Sequence, residues 1–289
     1  MSTTTALPGG TWTLGDHTVS RFGYGAMQLA GPWVIGPPKD HDAAIAVLRD
    51  VVASGITHID TAETYGPRVV NELIREALHP FPPELFIATK AGGRRDAEGG
   101  WPRARKPDEL RAQIDDNLET LGVDVLDLVH LRLGDTNGPV PEPVGEAFAT
   151  LAALQEQGLI RHLGVSNATA DQVAEARAIA PIVSVQNGYN LANRSDDGLI
   201  DDLADAGIAY IPFFPLGGFT PLQSGVLSAV AERLDATPMS VALAWLLHRS
   251  PNILLIPGTK SVAHLRENIA GAALTLSSDD LRELDHLAG

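Results

Sequence analysis

Cysteine is absent from the 289-residue chain. Disulfides, thiolate metal sites and cysteine nucleophiles are therefore excluded. Basic residues are scarce: 21 Lys and Arg stand against 36 Asp and Glu, a formal net charge of -15. Such a surface repels polyanions, so neither nucleic-acid nor anionic-membrane binding is expected, and a phosphate-bearing ligand needs a local basic pocket. No apolar run approaches the ~20 residues that cross a bilayer. The Thr-rich first ten residues lack the charged and apolar regions of a signal peptide. A cytoplasmic protein is expected. No contiguous apolar stripe stands out as an interface, which makes a monomer the expectation. Scattered His, Asp and Glu show no compact metal-ligand spacing, so no metal is expected.

What is present is a core and an alternation. Hydrophobic residues make up 44% of the chain, and its length suits one α/β barrel, a single domain over 1–289. Thr11 to Leu14, Gly15-Asp16 and His17 to Val19 read as a hairpin with a two-residue turn. Short apolar runs then alternate with helical patterns. Strands are predicted at 21–25, 57–60, 85–90, 126–131, 160–165, 182–186, 208–213 and 253–256. Helices fall at 42–53, 69–78, 108–121, 144–157, 170–180, 198–206 and 263–270. Two further helices are read at 238–248 and 278–287, the second opened by serine with carboxylates in its first turn. The pattern predicts a (β/α)8 TIM barrel with an N-terminal β-hairpin and extra helices. The long loop 91–106, with several Gly and Arg and Trp101, is a lid or substrate-contact candidate.

The chemistry-bearing residues stop the strands. Asp60 and Tyr65 lie in His58-Ile59-Asp60-Thr61-Ala62-Glu63-Thr64-Tyr65-Gly66, and Lys90 ends Leu85-Phe86-Ile87-Ala88-Thr89-Lys90. Strand ends of this kind meet at the mouth of a parallel barrel. A phenol alone is a poor acid at neutral pH. An ammonium beside it favours the phenolate, and a carboxylate holds the ammonium charged and aimed. The trio is a general-acid device for a carbonyl oxygen while hydride arrives from elsewhere. A strand-end lysine also suits a Schiff-base lyase, which leaves Lys90 as a nucleophile in an alternative reading. Gly23-Tyr24-Gly25 is not a dinucleotide fingerprint, since the third glycine is missing and no helix follows at once.

These segments resemble the aldo-keto reductase superfamily, and the resemblance covers nearly the whole chain. Phe22-Gly23-Tyr24-Gly25-Ala26-Met27 resembles its first strand, Ile59 to Gly66 its most specific motif and Ala88-Thr89-Lys90 its lysine strand. Gly164-Val165-Ser166-Asn167 and Val185-Gln186-Asn187 resemble its nicotinamide strands. Phe214-Pro215-Leu216-Gly217-Gly218 resembles its pyrophosphate loop, and Ile256-Pro257-Gly258-Thr259 through Glu267-Asn268 its adenosine end. The resemblance implies a barrel with NADPH across its mouth. Tyr65 would be the general acid, tuned by Lys90 and Asp60. Met27, Ser166, Asn167, Gln186 and Phe213 would meet the nicotinamide end. Leu216, Gly217 and Gly218 would present backbone to the pyrophosphate. Gly258, Thr259, Lys260, His264, Glu267 and Asn268 would hold the adenosine end, Lys260 and His264 facing the 2′-phosphate.

One departure has chemical content. The family usually carries a histidine after its fourth strand; here Asp127-Leu128-Val129-His130-Leu131-Arg132 puts Arg132 at that position and His130 two residues earlier. Both face the mouth, His130 deeper, where it also reads as a satisfied interior histidine. Arg132 is preferred as the replacement: a fixed cation and donor that cannot titrate near neutrality. The segment from Gly25 to Pro38 is similar to a bacterial branch with arginine here that includes pyridoxal reductases. That implies pyridoxal as the aldehyde, with Trp33 or Trp101 stacking on its ring and His130 near it. The altered histidine also leaves open an NADPH-binding regulatory protein with little catalysis.

Overall fold

The computed structural model describes residues 6–96, 98–135, 138–215 and 224–288. Strands β1 (Thr11–Leu14) and β2 (His17–Ser20) form the expected antiparallel hairpin, with Gly15 at φ 62° in the turn. Leu14 and Val19 project from it into a buried cluster with Phe86, Ala88, Leu128, Ala209, Ile211 and Leu254. The hairpin thus plugs the end of the sheet opposite the strand C-termini.

Seven parallel strands follow in sequential order: β3 (Tyr24–Gly25), β4 (His58–Asp60), β5 (Phe86–Ala91), β6 (Leu126–Arg132), β7 (Ile160–Ser166), β8 (Ser184–Gln186) and β9 (Ala209–Tyr210). The expected eighth strand is not a continuous ladder. Residues 253 to 255 are held by parallel bridges, Tyr210 to Ile253 and Phe22 to Leu255, which join the two edges of the sheet. Pro251 and Pro257 flank this segment and supply no N–H to lengthen the ladder.

Helices α1 (His41–Ala53), α2 (Val69–Leu78), α3 (Pro107–Leu121), α4 (Gly145–Glu156), α5 (Ala170–Ile179) and α6 (Asp197–Asp205) alternate with the strands. Local signals set their ends. The Asp40 carboxylate caps α1 by accepting from Ala43 N at 2.9 Å, Thr169 and Gln172 form a capping box on α5, and Gly122 at φ 71° ends α3. The helix α7 (Gly225–Arg233) was not expected, although Ser224 caps it and Leu227, Val230 and Ala231 bury at helical spacing. Helices α8 (Pro238–Arg249), α9 (Val262–Ala272) and α10 (Ser278–Asp285) complete the chain. Among the described residues no helix is long and apolar enough to cross a membrane.

Side chains alternate across each strand. On β5, Phe86 and Ala88 face the plugged interior, so Lys90 faces it too, two steps nearer the mouth. The same parity carries His58 and Asp60 on β4, and Leu128, His130 and Arg132 on β6. The interior is therefore layered: apolar at the hairpin end, two histidines above, charged at the strand C-termini.

Candidate active site

Asp60, Tyr65 and Lys90 come together, and all three are buried, at 3%, 6% and 8% exposure. The Lys90 ammonium donates to Asp60 Oδ1 at 2.6 Å and to the Thr61 carbonyl at 3.0 Å, and its Nζ lies 5.3 Å from the centre of the Tyr65 ring. Burial works against the lysine charge. Asp60 and Tyr65 outweigh it, Arg132 opposes them, and the net effect raises the Lys90 pKa above its ordinary value. Lys90 therefore stays an ammonium. The second Asp60 oxygen accepts from Gln186 Nε2 at 2.8 Å. A carboxylate only accepts, which fixes the amide with its Oε1 turned away from Asp60.

A network that sequence reasoning missed lies behind this pair. Thr61 Oγ1 donates to Asn71 Oδ1 at 2.9 Å, and Asn71 Nδ2 donates to Asn117 Oδ1 at 3.0 Å and to Thr120 Oγ1 at 3.1 Å. Asn117 Oδ1 also accepts from Thr89 Oγ1 at 2.6 Å. Asn71 and Asn117 are fully buried on the inner faces of α2 and α3. They clamp the residues next to Asp60 and Lys90. The readable signal was polar residues at core positions of amphipathic helices.

The mouth is cationic despite the acidic chain. In the 91–106 loop, Gly93 bridges Arg103 and Ala104 N donates to Gly92 O at 3.1 Å, which returns Trp101 over the site. The guanidinium carbon of Arg132 lies 4.7 Å from the Trp101 ring centre, and that of Arg95 4.0 Å. Arg95 donates to the Trp33 carbonyl at 2.8 Å. Trp33 itself is 82% exposed at φ 60°, so its ring is not packed into the site. Gly92, Trp101, Arg105, Arg132, Leu133 and Asp135 line a recess at the mouth.

His130, expected among the substrate contacts, has no exposed surface and shares a hydrogen bond of 2.8 Å with Ser184 Oγ. Burial, opposed by Asp60 and reinforced by Lys90 and His58, pushes its pKa down to about 3. It is a neutral interior residue, and Arg132 alone of the two reaches the mouth. His58 was not anticipated, although it shares the strand face of Asp60. It is fully buried, neither ring nitrogen finds a hydrogen-bond partner among the described residues, and burial holds its pKa near 4. Glycines make the room: a Cβ on Gly23 would sit 2.7 Å from His58 Nδ1, and one on Gly164 2.6 Å from His130 Cδ2.

The residues expected at the cofactor are set around this centre unevenly. Ser166 and Gln186 are buried at adjacent strand ends, paired in register. Asn167, at φ 59°, donates its Nδ2 back to the carbonyls of Leu133, Asp135 and Gly138, so only its Oδ1 is left for a ligand. Met27 and Phe213 are half-buried. Thr259 is tied into the turn before α9, its carbonyl accepting from Tyr24 and its hydroxyl from Ser261 N. Beside Gly258 and Thr259, Lys260, His264 and Glu267 are exposed and Asn268 is buried. Ser261 caps α9, whose first turn holds no acidic residue, and Lys260 has no carboxylate partner among the described residues. Open amides and a free cation at a helix start suit a phosphate. Leu216, Gly217 and Gly218 lie outside the described residues. Among the described residues no cluster of three or more His, Asp or Glu could hold a metal ion.

The chain is similar to known proteins over nearly its whole length. The model of the Aldo/keto reductase family matches residues 21–288. The chain is 59% identical to a pyridoxine 4-dehydrogenase of Escherichia coli (strain K12), covering 96% of this chain and 98% of that one. It is 40% identical to an uncharacterized oxidoreductase of Schizosaccharomyces pombe, over 97% of this chain and 90% of that one. The crystal structure of a thermostable aldo-keto reductase bound to the inhibitor epalrestat superposes with a TM-score of 0.81 at 31% identity, covering 96% and 99% of the two chains.

Proposed function

Because the chain belongs to the aldo/keto reductase family, we propose that it reduces an aldehyde with NADPH, and that the aldehyde is pyridoxal, converted to pyridoxine. The observation that carries the reading is the buried trio. An ammonium is held by Asp60 at 2.6 Å and set 5.3 Å from the ring of Tyr65. When bound, NADPH supplies the hydride. The chain supplies the rest. Tyr65 gives its hydroxyl proton to the carbonyl oxygen, while Lys90 and Arg132 stabilise the charge that develops there. Ser166 and the Oε1 of Gln186 orient a carboxamide at the strand ends. Lys260 and the open start of α9 take a phosphate, which favours NADPH over NADH. Trp101 covers an aromatic substrate. The identity to the Escherichia coli relative supports pyridoxal. The proposal extends to one catalytic domain, working as a cytoplasmic monomer.

The Schiff-base alternative finds the wrong electrostatics. A nucleophilic lysine needs a lowered pKa, whereas burial, which lowers that of Lys90, is outweighed by Asp60 and Tyr65 together, and the net effect raises it.

The test is NADPH consumption with pyridoxal and with 4-nitrobenzaldehyde, for wild type and Tyr65→Phe. Turnover should fall about 100-fold or more in the variant; an unchanged rate would remove Tyr65 as the acid. Turnover of 4-nitrobenzaldehyde alone would keep the chemistry and discard the substrate. Tight NADPH binding without turnover of either would favour a regulatory protein.

A further inference from the structure

Most arginines around the mouth are already neutralised. Arg94 pairs with Glu109, and Arg103 and Arg105 share Glu142. Arg95 is engaged by the Trp33 carbonyl. Arg132 has no carboxylate within ion-pair distance among the described residues. Its side chain lies on the inward face of β6, two residues above His130, which pairs in register with Lys90. Trp101 covers one side of its guanidinium at 4.7 Å. The result is a fixed, half-buried cation whose planar fork of donors is not consumed by the described residues.

A guanidinium offers two parallel N–H groups, where a histidine at this position would offer one. Two donors in one plane match two oxygens a short distance apart. We propose that Arg132 is a two-oxygen clamp that selects aromatic aldehydes carrying an ionised hydroxyl ortho to the carbonyl: one N–H meets the carbonyl oxygen that Tyr65 protonates, and its neighbour meets the ortho oxygen. The inference rests on the reductase reading above and deepens it. Pyridoxal has this arrangement, and its pyridinium ring makes the hydroxyl more acidic than a simple phenol.

The clamp answers an electrostatic problem. Hydride brings two electrons to the carbonyl carbon, the C=O π pair moves onto oxygen, and the Tyr65 hydroxyl proton closes the alcohol. The ortho phenolate keeps its charge throughout. An alkoxide developing beside that phenolate is repelled by it, and a cation bridging both oxygens removes the repulsion. Arg132 therefore holds the phenolate in substrate and product, and the second oxygen most strongly in the transition state, so its removal should raise KM and lower kcat together.

The experiment measures kcat/KM for salicylaldehyde, 2-methoxybenzaldehyde, 4-hydroxybenzaldehyde and benzaldehyde, at a pH where salicylaldehyde is ionised. Wild type, Arg132→His and Arg132→Lys are compared. Taking the salicylaldehyde-to-benzaldehyde ratio in each variant relative to wild type cancels the intrinsic reactivity of the aldehydes. The ratio should drop about 10-fold or more in both variants, the worth of one charge-assisted hydrogen bond; lysine keeps the charge and loses the fork. Wild type alone should prefer the 2-hydroxy over the 2-methoxy compound. An unchanged ratio in both variants, or equal use of the 2-hydroxy and 2-methoxy compounds by wild type, would overturn the clamp and leave the reductase standing. If wild type reduces pyridoxal but none of the four, the clamp fails and the reductase stands; if it reduces neither pyridoxal nor any of the four, the reductase reading fails and the clamp with it.

Discussion

Removing His58 should flatten the acid limb of the stability curve. Both interior histidines are neutral in the fold, with pKa values near 4 for His58 and 3 for His130, while an unfolded histidine titrates near 6.5. A depressed histidine pKa means that the unfolded chain binds the proton first. The stability is fully present above about pH 6.5 and is lost as pH falls toward the folded values. Between about pH 7.5 and 5 each unfolded histidine gains roughly 1.5 pH units of proton binding that the folded one does not, or about 2 kcal/mol. His58→Leu keeps an interior side chain and removes the titration. Denaturant unfolding at the two pH values should show a smaller acid loss in the variant than in wild type, by about 2 kcal/mol. Carboxylates contribute to both proteins and cancel in that difference. An equal acid loss in the two proteins would mean that His58 is not held neutral by burial, and the layered interior would have to be redrawn.

Three further outcomes follow from the site. Asp60→Asn removes the nearest charge that raises the Lys90 pKa against burial, so the lysine pKa should fall and the alkaline limb of kcat/KM should move to lower pH; an unmoved limb would separate Lys90 from the ionisation. Asn117→Ala strips the acceptor shared by Asn71 and Thr89 and should destabilise the fold by about 2–3 kcal/mol in chemical denaturation, whereas a loss under about 0.5 kcal/mol would place the network outside the core. Lys260→Ala should raise KM for NADPH by about 10-fold while leaving NADH unchanged; an equal effect on both cofactors would move the 2′-phosphate contact elsewhere.

The fold was legible because each strand is short, apolar and followed by a helical period. The hairpin and seven parallel strands lie where the pattern put them. The eighth was read as a strand and is held by two bridges, because Pro251 and Pro257 on either side supply no N–H to lengthen the ladder, a local signal that the apolar run outweighed. The helix at 225–233 is amphipathic and capped, and could have been read from Leu227, Val230 and Ala231. Within the site, Asp60 and Lys90 were legible as strand ends, and strand parity put His130 and Arg132 on one face of β6. It also set His130 deeper, where an interior histidine was the alternative to a substrate contact, and the structure closes it off with Ser184 across the interior. It could not show Asn167 turned back on the loop after β6, because that loop's carbonyls become neighbours only in three dimensions.

A buried ion pair is destabilising unless its remaining donors and acceptors are used. Asp60 meets that condition: Lys90 takes one oxygen and Gln186 the other. Lys90 meets it only in part. An ammonium carries three donors, and Asp60 and the Thr61 carbonyl use two. The third has no acceptor among the described residues, and the nearest aromatic group is Tyr65. Filling that position permanently would stabilise the fold, yet it would also commit the charge. Leaving it free keeps one N–H for an oxygen whose negative charge is largest in the transition state, where a pre-set donor is worth most. Gln186 then has two tasks that one residue type satisfies: its Nε2 steadies Asp60, and its Oε1 is thereby aimed at a ligand. Gln186→Glu would place a second carboxylate against Asp60 and turn that stabilising contact into repulsion, so it should impair turnover and fold stability together, and more than Gln186→Met, which removes the donor to Asp60 and the acceptor for the cofactor without adding a charge.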